Sequence, residues 1–284
     1  MKRLIVNADD FGMAEPVNLG IVKGHREGIV TSASLLACGT RAEQAALLAR
    51  ENPTLGVGAH LCLTIERSVL APSALPTLTD GGRLPASPFH LMSRLALGLI
   101  DKREIEAELR AQIERALALG ITPTHIDGHQ HVHMLPGVSP IALRLALEYH
   151  IPAIRLPVGP WTEKMGLGRS LEKFFLEHFA LARKKQLDAA RLKYPDYFFG
   201  LARTGRLGTK SLLGIIRRLP EGTSEVMCHP GIRDDALASG RGWGYGWETE
   251  LRAVTDESVM CAIREDGVEL VSFARLYPAS PSSY

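Results

Sequence analysis

Four short motifs along the chain carry the residue types that hydrolytic metal sites use. Two adjacent carboxylates, Asp9 and Asp10, end an apolar run at residues 4–8. His60 lies in a second apolar run, and His229 directly follows a third. Neutral imidazole is the commonest metal ligand near neutral pH, and a carboxylate can act beside it as a ligand or as a proton acceptor. Each motif alone is also compatible with a solvated turn or a core histidine, so the motifs are interpreted together.

The densest signal is the segment 124–133, which holds four of the ten histidines and one aspartate. Because a proline precedes it and a glycine interrupts it, we expect this segment to be extended rather than helical. In an extended chain, Asp127, His129, His131 and His133 share parity and project to one side. This spacing predicts a cluster of imidazoles on one face of a strand.

Together the motifs predict one carboxylate and two imidazoles on a divalent metal, with further Asp and His around it. Three protein ligands leave coordination positions open, which is typical of a catalytic site. A bound metal polarises a carbonyl oxygen and lowers the pKa of water. A nearby carboxylate can take the water's proton, and a nearby histidine can protonate the leaving group. These are the requirements of amide or ester hydrolysis.

The elements that must position these residues alternate between strand-like and helical patterns. Seven short apolar runs have strand character, at residues 4–8, 32–37, 56–63, 124–132, 153–156, 225–228 and 268–273. Strands separated by helices predict parallel β/α units. We expect a β/α barrel, distorted and seven-stranded, whose carboxyl strand ends form the metal site. An open doubly wound sheet is the alternative, although no G-x-G-x-x-G follows the first strand.

We expect a single domain over residues 1–284 with two long excursions, at about 66–101 and 160–224. Excursions of this length are usually functional, and here they are expected to shape a substrate cleft. A glycine-rich loop offers Trp243 and Tyr245, whose rings can stack on a sugar face. Arg155 lies in the run at 153–156, after Ala153 and Ile154, and could reach the same site.

Composition narrows the function classes. The formal net charge is +2, with 33 basic and 31 acidic residues, which argues against a nucleic-acid binder. No apolar run reaches the roughly 18 residues of a membrane span, and two acids precede any signal-peptide core. We therefore expect a cytoplasmic protein without a transmembrane segment. Four scattered cysteines predict neither a zinc ribbon nor a disulfide scaffold. A homodimer is compatible with the sequence.

The motifs at residues 7–12, 58–64, 124–133 and 228–231 occur in an order that resembles the YdjC-like carbohydrate deacetylases. That family includes chitooligosaccharide deacetylase and relatives associated with hopanoid biosynthesis. The resemblance implies a β/α barrel and one divalent metal ion, Mg²⁺ or Zn²⁺.

Residue roles follow from the same resemblance. It implies that Asp10, His60 and His129 are the metal ligands, that Asp9 is the general base, and that His229 is the general acid. Substrate contacts are expected from a larger group: Asp127, His131, His133, Arg155, Trp243 and Tyr245.

The implied reaction removes an N-acetyl group and releases acetate. The expected substrate is an N-acetylated amino sugar, either a chitooligosaccharide or an N-acetylglucosaminyl conjugate such as a glycolipid. Two alternatives remain open at this point. One is a metal-dependent phosphoesterase, and the other is a non-catalytic sugar- or metal-binding protein on the same fold.

Overall fold

The computed structural model describes residues 1–160, 165–234 and 244–276. Within these ranges the strands are β1 (Lys2–Phe11), β2 (Ser32–Leu35), β3 (Gly56–Leu61), β4 (Ile126–Gly128), β5 (Tyr197–Phe199), β6 (Gly222–Cys228) and β7 (Glu269–Leu270). β1 is buried along most of its length because both of its faces are covered. Such continuous apolar strands are typical of parallel sheets with helices packed around them.

Helices separate most of the strands. They are α1 (Glu15–Arg26), α2 (Ala42–Arg50), α3 (Pro88–Ala96), α4 (Lys102–Ala118), α5 (Ser139–Glu148), α6 (Leu167–Ala189), α7 (Thr209–Ile216), α8 (Trp247–Val254) and α9 (Glu257–Glu265). Local chemistry explains where several begin. The carboxylates of Asp101 and Asp256 accept hydrogen bonds from backbone N–H groups at the starts of α4 and α9. The Ser87 hydroxyl accepts one at the start of α3.

The strands form one parallel sheet in the order β4-β3-β2-β1-β6-β5, with β7 paired to the first half of β1. Parallel pairing puts the carboxyl ends of the strands at the same edge. The motifs at the ends of β1, β3, β4 and β6 are therefore brought together, although they are up to about 220 residues apart along the chain.

The sheet curls beyond β4. Isolated parallel bridges join Ile126 to Ile154 and Ala153 to Lys193, and the Phe198 amide donates to the Val158 carbonyl. The α/β class with a curled parallel sheet is therefore confirmed. The predicted run at 153–156 contributes only these bridges.

The two excursions contain regular structure. Residues 66–101 hold a 3₁₀ turn (Pro72–Ala74) and α3. Residues 160–224 hold α6, β5 and α7, so the second excursion supplies a strand of the sheet that the sequence pattern did not predict. β5 is only three residues long, too short for a hydrophobic period to identify. Among the described helices, none combines the length and apolarity needed to cross a bilayer.

Candidate active site

An irregularity in β1 places two neighbouring carboxylates in the same site. Side chains on a regular strand alternate between faces, so Asp9 and Asp10 would point apart. The register against β2 shifts between Ala8 and Phe11, where two residues of β1, Asp9 and Asp10, oppose one residue of β2. Asp10 adopts a left-handed conformation (φ 66°), which aspartate tolerates better than most residues. Bulges of this kind re-aim side chains next to active sites.

Asp10, His60 and His129 form a buried group whose ligand atoms all lie within 4.8 Å of one another. Asp10 Oδ1 lies 2.8 Å from His129 Nδ1 and 3.4 Å from His60 Nε2. They come from the ends of β1 and β3 and from the residue after β4, as parallel strand topology requires.

Mutual electrostatics shift the pKa values of all three side chains. Burial raises the pKa of Asp10, but His129 and His60 outweigh it and hold that pKa well below its usual value. Burial lowers the pKa of His60, but Asp127 and Asp10 outweigh it and raise that pKa well above its usual value. Burial also lowers the pKa of His129, but Asp10 outweighs it and produces a net rise. A cluster that attracts positive charge to this degree is suited to a divalent cation.

Asp127 orients His60 for such a cation. His60 Nδ1 lies 2.9 Å from Asp127 Oδ1, which leaves Nε2 directed toward Asp10. The other oxygen, Asp127 Oδ2, accepts from Ser34 Oγ at 2.7 Å and from Arg155 Nη1 at 2.9 Å. Metal-binding histidines usually donate their second ring N–H to a carboxylate in this way. The donor set and its support therefore fit a divalent metal.

Arg155 is fully buried and joins three carboxylates. Its two terminal nitrogens bind both oxygens of Asp9, at 2.7 and 2.6 Å, and its Nε donates to Glu225 Oε1 at 2.8 Å. The third partner is Asp127. This bidentate pairing fixes the plane of the Asp9 carboxylate, and Asn7 Nδ2 adds a hydrogen bond to Asp9 Oδ1 at 2.8 Å.

Glu225 is a functional neighbour that sequence reasoning missed. It lies in the middle of β6 and has no exposed surface. Burial raises its pKa to about 8, against the pull of Arg155, and the charges of Asp9 and Asp127 act in the same direction as burial. A glutamate at the start of the predicted strand run 225–228 was the available signal, since buried charges are usually paired.

The histidine-rich segment is not the extended strand that was predicted. β4 ends at Gly128, and His129–Met134 forms a 3₁₀ segment in which Gln130 and His131 are left-handed (φ 52° and 57°). The prediction that Asp127, His129, His131 and His133 project to one side is therefore wrong. Alternate residues share a side only while the chain stays extended.

The turn sends the later histidines in different directions. His131 lines the cleft and packs edge-on against Phe198, with ring centroids 5.5 Å apart. His133 is fully buried, and its Nε2 lies 3.1 Å from the Arg155 carbonyl oxygen. Burial lowers the pKa of His133 to about 4 and holds that of His131 well below its usual value.

His229 enters from the opposite side of the site, directly after β6. Its backbone N–H donates to Glu250 Oε2 at 2.5 Å, and its Nδ1 lies 3.8 Å from the same oxygen. Burial lowers the pKa of His229, but Glu250 outweighs it and produces a net rise. The ring also meets Tyr245 edge-on at 5.1 Å. Glu250, from α8, had no sequence signal linking it to this histidine.

These groups surround one cleft of about 150 Å³. Asp9, Asp10, His60, His129 and His229 all line it. The first excursion contributes Pro88, and the second contributes Arg169 and Glu172 among others.

The predicted substrate contacts are distributed unevenly. His131 and Tyr245 line the cleft, whereas Trp243 lies outside the described residues. Asp127, His133 and Arg155 have no exposed surface and do not line it. Their placement argues against direct substrate contact, because their polar atoms are directed to His60, Asp9 and the backbone instead.

Fold and site define an α/β protein with a buried Asp-His-His group and an Arg-bound second carboxylate in one cleft. The family model described as YdjC-like protein matches residues 3–265. The chain belongs to this YdjC-like family.

Similar proteins cover almost the whole chain. A carbohydrate deacetylase of Brevibacillus brevis is 38% identical, across 96% of this chain and 99% of its own. A chitooligosaccharide deacetylase of Yersinia pestis is 34% identical, across 96% and 98%. A crystal structure from Enterococcus faecalis V583, of a protein provisionally assigned to cellobiose-phosphate cleavage, is similar with a TM-score of 0.79 and 27% identity, covering 98% of this chain and 99% of that one.

Proposed function

We propose that this protein is a metal-dependent hydrolase that removes the acetyl group from an N-acetylated amino sugar. One observation carries the proposal: Asp9, held by Arg155, lies in the same cleft as the Asp10, His60 and His129 group. A metal site next to a separate oriented carboxylate is the combination that amide hydrolysis needs. Relatives named carbohydrate deacetylase over nearly the full length support this reaction class.

Asp10, His60 and His129 would hold the ion, with Mg²⁺ and Zn²⁺ as the candidates. A bound divalent ion there supplies Lewis acidity toward the acetamide carbonyl and toward water. Asp127 fixes the His60 ring with Nε2 directed into the group.

Asp9 is assigned as the general base. Arg155 and Asn7 fix its carboxylate, and the side chain still borders the cleft. In the reaction, Asp9 accepts a proton from the water that attacks the acetyl carbon. Replacing Asp9 with Asn removes that acceptor and should abolish turnover while leaving metal binding intact.

His229 is assigned as the general acid. It faces Asp9 and Asp10 across the cleft, and Glu250 favours its protonated form. Donation of that proton to the departing nitrogen lets the C–N bond break, and the products are acetate and a free amine.

The cleft supports a sugar substrate. Tyr245 lines it and offers an aromatic edge beside His229, as a sugar-binding site uses. We take the substrate to be a chitooligosaccharide or an N-acetylglucosaminyl conjugate. In the same proposal, residues 1–284 form one domain, and the bridges beyond β4 bring the curled sheet close to a barrel.

A two-metal phosphoesterase is less well supported. A second group, Asp9, His60 and Asp127, also has ligand atoms within 4.8 Å of one another. However, Arg155 binds both carboxylates of this second group, Asp9 and Asp127. The second group also shares His60 with the first group. A guanidinium at that position opposes a second cation.

Acetate release from N,N'-diacetylchitobiose tests the proposal. Metal-stripped protein should be inactive, and Mg²⁺ or Zn²⁺ should restore release. Asp9→Asn should bind metal normally without turnover, whereas Asp101→Asn, a change at an exposed helix cap, should retain activity. Metal-restored activity in Asp9→Asn would remove Asp9 from the role of base. Tight sugar binding without acetate release in the wild type would favour a binding protein.

A further inference from the structure

The outer face of α6 is unusually apolar. Five large apolar side chains on it are between 49% and 79% exposed: Leu167, Leu171, Phe174, Phe175 and Leu181. At 3.6 residues per turn, these five positions fall on one side of the helix. The opposite side packs into the protein through Leu176, Ala180 and Leu187, which are buried. A surface helix is normally polar on its outer side, so an apolar outer face points to a partner.

The same helix also borders the cleft, but on its other side. Arg169 and Glu172 line the cleft, and by helical spacing they lie on the opposite side of α6 from the apolar face. On the other excursion, Pro88 lines it and the next residue, Phe89, is 81% exposed. The first excursion therefore presents an exposed aromatic side chain next to a residue that lines the cleft.

A run of basic residues follows the last member of the apolar face along the chain. Arg183, Lys184 and Lys185 follow Leu181, and both lysines are exposed. By helical spacing Lys185 falls on the line of Leu171 and Phe174. The acid in this half of the helix, Asp188, accepts a hydrogen bond from the Tyr194 hydroxyl. The helix therefore joins an apolar face to a local excess of positive charge.

We infer that the outer face of α6 docks on an anionic phospholipid bilayer. Aromatic and leucine side chains insert at the boundary between headgroups and acyl chains, and basic side chains meet anionic headgroups. Binding of this type is peripheral, consistent with the finding that no described helix can span a membrane. The inference goes beyond the proposed function, because it concerns where the protein lies and not which bond it breaks.

Co-sedimentation with vesicles tests the inference. The full chain should bind phosphatidylcholine vesicles that contain phosphatidylglycerol, and high salt should weaken the binding. The variant Phe174→Ser/Phe175→Ser should lower the partition coefficient by about tenfold or more, because two half-exposed aromatic rings are lost. Lys184→Glu/Lys185→Glu should remove the preference for phosphatidylglycerol.

The matched control is Leu47→Ser on α2, where an apolar side chain is 54% exposed, as at Phe174. It should bind vesicles like the wild type, and all variants should keep the wild-type melting temperature. Equal binding by the Phe174→Ser/Phe175→Ser variant would overturn the inference. So would absence of vesicle binding together with a dimer in light scattering that this variant dissociates, because the face would then belong to a second copy of the chain.

Discussion

Replacing Asp127 with asparagine tests whether this residue contacts substrate or orients a metal ligand. The sequence predicts a substrate contact, whereas in the structure Asp127 lies behind His60. Both carboxylate oxygens accept hydrogen bonds: Oδ1 faces His60 Nδ1 at 2.9 Å, and Oδ2 faces Ser34 Oγ and Arg155 Nη1. An asparagine must turn its NH₂ group toward one of these sides. Either orientation sets a donor against a donor.

The cost can be estimated for each orientation. If the NH₂ group faces His60, the ring must move its proton to Nε2, the atom needed for a metal. If the NH₂ group faces Arg155, the amide oxygen still accepts a hydrogen bond from His60 Nδ1. The side chain then no longer carries the negative charge that orients the imidazole ring. Loss of such a supporting carboxylate typically lowers metal affinity 10- to 100-fold, or about 1.4–2.7 kcal/mol.

Metal titration of the stripped protein by calorimetry measures this loss for Zn²⁺ and Mg²⁺. At saturating metal, KM for the acetylated sugar should stay near the wild-type value. The control is Glu108→Gln, another fully buried carboxylate, whose contacts are to the backbone of residues 69–70 and to Gln112. It should leave metal affinity unchanged. An unchanged metal affinity in Asp127→Asn, together with a raised KM, would refute the reasoning and restore the substrate contact.

Three further predictions concern charges behind the cleft. Arg155→Met leaves three carboxylates buried without their cation, so the free energy of unfolding measured by urea titration should fall by about 3–5 kcal/mol. An unchanged urea midpoint would show that these ion pairs do not stabilise the fold. Glu225 has a folded-state pKa of about 8 against an ordinary value of 4.5, so its contribution to stability is complete below about pH 4.5 and lost as the pH rises through 8. Glu225→Gln should flatten the decline in the free energy of unfolding between about pH 4.5 and 8. An unchanged decline in this variant would assign the pH dependence to another group. Glu250→Gln removes the charge that raises the pKa of His229, so the basic limb of kcat/KM should move to lower pH; a stationary limb would exclude His229 as the acid.

Sequence patterns could predict which strands deliver chemistry. Most of the predicted strand runs are strands of the sheet, and Asp10, His60 and His129 are brought together because each lies at or just beyond a carboxyl strand end. This part is predictable because it depends on local apolar runs and on parallel topology. The predicted family membership is confirmed by the family model, which matches residues 3–265.

Side-chain direction inside the site was not predictable in the same way. The parity argument for the histidine segment failed because Gln130 and His131 turn left-handed directly after β4. The pairings of Arg155 with Asp9 and of His229 with Glu250 connect distant parts of the chain, so no local pattern encodes them. Exposure was likewise unpredictable for Arg155, because a buried arginine and a surface arginine look alike in sequence.

The bulge in β1 directs Asp9 and Asp10 into one cleft, which the two roles proposed for them above require. On a regular strand one of them would face away from the cleft, and only one carboxylate would be available. With both directed inward, their partners separate them: Asp10 faces two imidazoles, whereas Asp9 faces the guanidinium of Arg155. A cation bound by Asp10 would be repelled by Arg155 if it moved toward Asp9, so Asp9 stays outside the ligand set and remains able to take a proton. Environment, rather than residue type, therefore divides the two roles between chemically identical neighbours.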